Sequence, residues 1–77
     1  MERLGSIFGR SMKILLNGES AETRDVQTVE ELVDKYQLQR QTTLIEHNGV
    51  ALHRREWMKR ALSEGDRIEI LHVAAGG

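Results

Sequence analysis

The sequence contains no cysteine and no proline, and only three aromatic residues among its 77. Without cysteine there is no disulfide, no thiolate metal site and no cysteine nucleophile. Three aromatics leave little to stack bases, and no charge of one sign dominates. Lysine and arginine number 11 against 12 aspartate and glutamate, for a net charge of −1, with the cations scattered rather than striped. That pattern excludes a counterion-releasing nucleic-acid surface. Nor does any stretch approach the roughly 18 consecutive apolar residues of a membrane span, and the opening "MERLGSIFGRS" lacks the apolar core of a signal peptide. The expectation is a soluble, cytoplasmic chain with no membrane partner. A chain of this size buries only about 60% of the surface its unfolded form exposes, which leaves one small domain and little room for a deep enclosed active site.

What is present begins with strand periodicity. Met1 to Ser11 carry two glycines and two arginines without sustained alternation, and are read as a flexible extension. "MKILLN" then alternates, with Ile14 and Leu16 on one face and Lys13 on the other. Asn17-Gly18 supplies the positive φ angles of a tight hairpin turn, and a polar second strand returns from Glu19 to about Arg24. In "TVEELVDKY", Thr28 followed by Glu31 matches a capping box, and Val29, Leu32, Val33 and Tyr36 form one apolar stripe of a short helix. After the polar "QRQTT", the segments "LIEH" and "VAL" flank Asn48-Gly49, a second hairpin signal. "RREWMKRAL" has the length of a helical turn or two carrying Trp57, "EGD" makes a turn, and "RIEILHV" is the final strand, with Ile68 and Ile70 inward. This order describes an α+β domain: a mixed sheet of four to five strands grasping one main helix, spanning residues 12–73, with the last strand beside the first in the centre.

Sites of familiar chemistry are missing. His47, His53 and His72 have no metal-ligand spacing and are assigned structural or surface roles, His47 and His72 at inward or edge-facing positions. No nucleophile elbow, catalytic triad or phosphate loop is present. Glu30, Glu31 and Asp34, like Arg54 to Glu56, read as solvated faces, and Trp57 as a core or rim anchor. The chain reads as a non-enzyme that binds no cofactor or metal.

The distinctive feature is the ending "HVAAGG". At average glycine usage, two terminal glycines arise by chance in roughly one chain in 200. A terminal carboxylate is ionised at neutral pH and must be activated before it reacts. Attack of the Gly77 carboxylate on the α-phosphate of ATP gives an acyl-adenylate, from which a sulfur donor can displace AMP and leave a thiocarboxylate. Gly76 and Gly77 lack Cβ atoms, and Ala74 and Ala75 are nearly as slender, so residues 74–77 are suited to threading into a partner's channel. The enzyme that does this chemistry, and uses the ATP, is a separate protein. Alternation also sends Leu71 and Val73 to the face away from the helix, where Leu15 on the first strand is expected to join them in an apolar docking patch.

"MKILLNGE", "TVEELV", "NGVALHRREW", "LSEGDRIEI" and the final "GG" together resemble the ThiS sulfur carriers of thiamine thiazole synthesis, which are ubiquitin-like β-grasp proteins. The resemblance spans Met12 to Gly77. It implies adenylation of Gly77 by a ThiF-like enzyme, sulfur from a donor such as a cysteine desulfurase system, and delivery of that sulfur to a ThiG-like thiazole synthase, with the free carrier a monomer. His53 stands where the family often has proline, "AA" stands where it often has bulkier residues, and Met1 to Ser11 have no counterpart. Two alternatives stay open. One is a MoaD-like subunit of molybdopterin synthase or a carrier for another sulfur pathway, disfavoured by the lack of proline before the glycines. The other is a ubiquitin-like interaction module that is never activated.

Overall fold

Two Asn-Gly pairs organise the sheet. Asn17 and Gly18 take φ of 51° and 84°, and Asn48 and Gly49 take 52° and 87°, the consecutive left-handed angles of the tight turn whose twist matches that of paired strands. They close the hairpins β1 (Ser11–Leu16) with β2 (Glu19–Arg24), and β3 (Thr43–His47) with β4 (Val50–Leu52). The structure, a computed structural model, describes residues 11–73. The expected extension, apart from Ser11, and the tail 74–77 lie outside the described residues. Ser11 pairs with Arg24, so the strand begins one residue ahead of the expected Met12.

The final strand β5 (Arg67–His72) enters between the hairpins, parallel to β1 and antiparallel to β3, giving the order β2-β1-β5-β3-β4. The sheet therefore has five strands, with first and last adjacent at its centre. Its inner face carries Ile14, Ile45, Ile68 and Ile70 against one helix, α1 (Val29–Lys35), whose Val29, Leu32 and Val33 are buried. Thr28 caps the helix by accepting from the Glu31 N–H at 3.2 Å. Glu31 reaches past its expected partner and accepts from the Gln27 N–H at 2.6 Å, which ties down the entering chain one residue earlier. Tyr36, expected on the buried stripe, is the C-terminal cap and is exposed. The apolar stripe ends with the helix at Lys35.

The expected helical turns form as a 3-10 helix, Arg54–Lys59, and it carries Trp57 into the core with no exposed surface. Its tighter winding suits a segment too short for an independent α-helix. The acidic helix face is more than solvated: Arg40 sits 3.2 Å from Glu30 and 3.4 Å from Asp34 while its guanidinium lies 5.8 Å from the centroid of the Trp57 ring. No helix among the described residues is long and apolar enough to cross a membrane.

Candidate functional site

The site begins with how β5 is held, because β5 delivers the C-terminal arm. The turn asparagines grip it from both sides. Asn17 accepts from the Ile70 N–H through its side-chain oxygen at 2.7 Å and donates its own N–H to the Ile68 carbonyl at 2.8 Å. On the other side Asn48 accepts from the Arg67 N–H at 2.8 Å and donates its N–H to the Arg67 carbonyl at 2.8 Å. Past the end of the strand, the Val73 N–H donates to the Thr42 carbonyl at 2.8 Å. The origin of the arm is thus a fixed point on a central strand.

At the start of β5 lies a polar knot in which His47 is buried and Asp66 partly so. His47 Nε2 is 2.7 Å from Asp66 Oδ2, and since a carboxylate only accepts, that nitrogen carries the proton. Asn48 donates to the other carboxylate oxygen at 3.1 Å, and the Ser63 N–H to Oδ2 at 2.8 Å. Burial pushes the Asp66 carboxyl up, but these three donors outweigh it and hold the group below its usual range. A carboxylate depressed in the folded state contributes stability that is present above about pH 3.9, the ordinary aspartate value, and is lost as pH falls through the folded value. Asp66→Asn is expected to cost about 1–3 kcal/mol at pH 7 and to flatten the acid limb of a plot of urea midpoint against pH; an unchanged acid limb would show that Asp66 does not carry it. His47 is buried in a structural contact and His72 lies exposed on the surface.

The outer face of the sheet, away from α1, shows where an apolar surface forms. Leu71 and Leu44 are direct cross-strand partners, 50% and 48% exposed, and Val73 beside the arm is 44% exposed. Leu44 was not singled out from the sequence, although the alternation of "TLIEH", with Ile45 inward, sends it outward. Leu15 is also exposed, but it pairs with Arg67. It stands four residues along β5 from Leu71, roughly 13 Å at strand rise, with Glu69 on the same face between them. Glu69 itself is the direct partner of Glu46, an acidic pair bordering the leucines. Gly77, Gly76, Ala75 and Ala74 lie outside the described residues, so of the expected site the structure places only the strand that precedes them and the exposed apolar residues Leu15, Leu71 and Val73. Among the described residues no group of three or more histidine or acidic side chains converges as a metal site would require.

A family model described as the ThiS family matches residues 7–77. The chain belongs to the ThiS family. The match begins at Ile7, so part of the segment expected to lack a counterpart falls inside the ThiS span. Among solved structures, the chain is similar to the crystal structure of thiamine biosynthesis protein ThiS from Geobacter metallireducens, at 26% identity and a TM-score of 0.73, over 86% of this chain and 100% of that one. The ThiS β-grasp fold is therefore the fold of this chain. No curated relative matches it.

Proposed function

We propose that the chain is a sulfur carrier for the thiazole of thiamine, activated at Gly77. The observation that carries the reading is the family match, which runs through Gly77 rather than stopping at the folded domain. In the first step a carboxylate oxygen of Gly77 attacks the α-phosphate of ATP and pyrophosphate leaves, giving the acyl-adenylate. In the second, the terminal sulfur of a donor persulfide attacks the acyl carbon and AMP leaves with one carboxylate oxygen; a thiol then attacks the donor's sulfur in the resulting acyl disulfide, so the thiocarboxylate is released and the donor leaves in a disulfide with that thiol. The thiocarboxylate then gives that sulfur to a thiazole synthase. Both activation steps belong to a separate ThiF-like enzyme, and ATP is that enzyme's substrate.

The fold supports this division of labour. β5 is clamped on both sides, so the partner receives the arm from a rigid base, and Leu71, Leu44 and Val73 offer an apolar surface where the arm leaves. Leu15 stands apart from this surface, beyond Glu69. A molybdopterin subunit uses the same chemistry; the ThiS family match favours the thiazole pathway. Incubation with ATP, a ThiF-like enzyme, a cysteine desulfurase with cysteine and a thiol reductant is expected to add about 16 Da, the exchange of one oxygen for sulfur. A chain lacking Gly77 should gain nothing. An unchanged mass in the full chain would leave the interaction module that is never activated.

A further inference from the structure

The two Asn-Gly pairs that turn the hairpins carry a chemistry of their own. The backbone nitrogen that follows an asparagine can attack the side-chain amide carbon, and glycine hinders this attack least because it has no Cβ. Asn17, Gly18, Asn48 and Gly49 are all exposed. The space beside both glycines is open, with nothing within 4 Å of where a Cβ would stand, and neither glycine N–H makes a backbone hydrogen bond among the described residues. The two nucleophiles are therefore alike, and any difference lies in how each side-chain amide is held.

Closing the ring requires the amide to leave its partners and swing back over the main chain. For Asn17 that breaks one side-chain bond, the 2.7 Å contact from the Ile70 N–H to Oδ1; its Nδ2 has no partner among the described residues. Asn48 is held at both ends. Its Oδ1 accepts from the Arg67 N–H at 2.8 Å, and its Nδ2 donates to Asp66 Oδ1 at 3.1 Å, a bond strengthened by the charge on its acceptor. The nitrogen that must depart is thus tied down in Asn48 and untied in Asn17.

We propose that Asn17 is the site at which the folded chain deamidates, and that the Asp66 carboxylate guards Asn48 against the same reaction. The Gly18 nitrogen bonds to Asn17 Cγ, the Cγ–Nδ2 bond breaks, and the Gly18 amide proton passes through solvent to the departing nitrogen, so ammonia leaves a succinimide. Water then opens the ring, at the side-chain carbonyl to give aspartate or at the backbone carbonyl to give isoaspartate. Aspartate keeps an oxygen for the Ile70 N–H. Isoaspartate routes the main chain through Cβ, which abolishes the left-handed turn at position 17 and takes the clamp off the β1 side of β5. The guarded site is the one where modification costs more, because a carboxylate at position 48 would face Asp66.

Trypsin places the two sites in separate peptides, Ile14 to Arg24 and Gln41 to Arg54, and deamidation adds about 1 Da to either. After the full folded chain is kept in warm, mildly alkaline buffer, the Asn17 peptide is expected to convert about tenfold faster than the Asn48 peptide, the worth of one hydrogen bond to a charged group. In urea, where neither amide is held, the two rates should converge. Equal rates in the folded chain, or the same difference kept in urea, would overturn the proposal. Asp66→Ala should raise the Asn48 rate toward that of Asn17, and an Asn48 rate that did not rise would remove Asp66 as the guard; the comparison in the parent chain decides the matter even where that variant is unstable. In the isoaspartate fraction the Ile70 amide should exchange with deuterium several-fold faster than in fresh chain while the Arg67 amide does not, and undiminished Ile70 protection would overturn the loss of the clamp. None of these measurements depends on whether Gly77 is activated.

Discussion

Trp57→Ala is expected to leave the chain at or beyond the edge of unfolding at 25 °C. The described domain runs over residues 11–73, and a domain of that length holds only about 3–9 kcal/mol in total. Trp57 is the largest of its fully buried side chains, and truncating such a residue to alanine costs about 3–5 kcal/mol through lost contacts and the cavity left behind. It also removes the ring under Arg40, leaving the guanidinium with Glu30 and Asp34 alone. Trp57→Phe should be much milder, because it keeps most of the apolar contact and removes an indole N–H that has no partner among the described residues. Urea titration followed by far-UV circular dichroism reads both variants without relying on tryptophan emission. A Trp57→Ala midpoint within experimental error of the parent would mean that the 3-10 helix is an appendage rather than part of the core.

The same residue shows what could be read from the sequence and what could not. Its role as a core or rim anchor followed from its size and aromatic character. Its 3-10 geometry did not, because a six-residue segment has no periodicity long enough to separate one helix type from another. Strand order was legible for a physical reason: two Asn-Gly pairs dictate two hairpins, and a final strand that alternates cleanly must find a partner between them. The second task of those asparagines, holding β5 through their side chains, was not legible. It joins Asn17 to Ile70 and Asn48 to Arg67, contacts made only by the folded sheet. The knot of His47, Asn48, Ser63 and Asp66 was hidden in the same way. Tyr36 was assigned to the buried stripe because the i, i+7 spacing assumes that the helix continues, and it stops at Lys35.

At the candidate site, Gly77 lies outside the described residues, and the apolar surface was legible only in part. Which apolar residues surround the root of the arm depends on register, and one strand's alternation says nothing about the residue opposite. Leu15 was drawn into the patch because β1 and β5 are neighbours. Their parallel pairing sets Leu15 against Arg67, at the far end of β5 from the arm. Leu44 was missed because only the antiparallel register of β3 with β5 brings it against Leu71.

That register gives the docking face its sharpest test. Leu44→Thr combined with Leu71→Thr is expected to raise the KM of the ThiF-like enzyme for this carrier by about 10- to 30-fold, the size of losing one strong apolar anchor at an interface, with kcat unchanged. Threonine is β-branched, a shape that strands favour, and the two leucines are about half exposed, so melting should move by no more than a few degrees. The chemistry at Gly77 is untouched, hence the expected split between KM and kcat. Leu15→Thr should have a smaller effect, because Glu69 and the Glu46 beside it interrupt the apolar surface on the way to the arm. If Leu15→Thr instead raised KM as much as the pair does, the interface would cover the whole width of the sheet and the acidic residues would have to be matched by cations of the partner. If the double variant left KM unchanged, recognition would rest on the arm alone, and the clamped strand would serve only to present it.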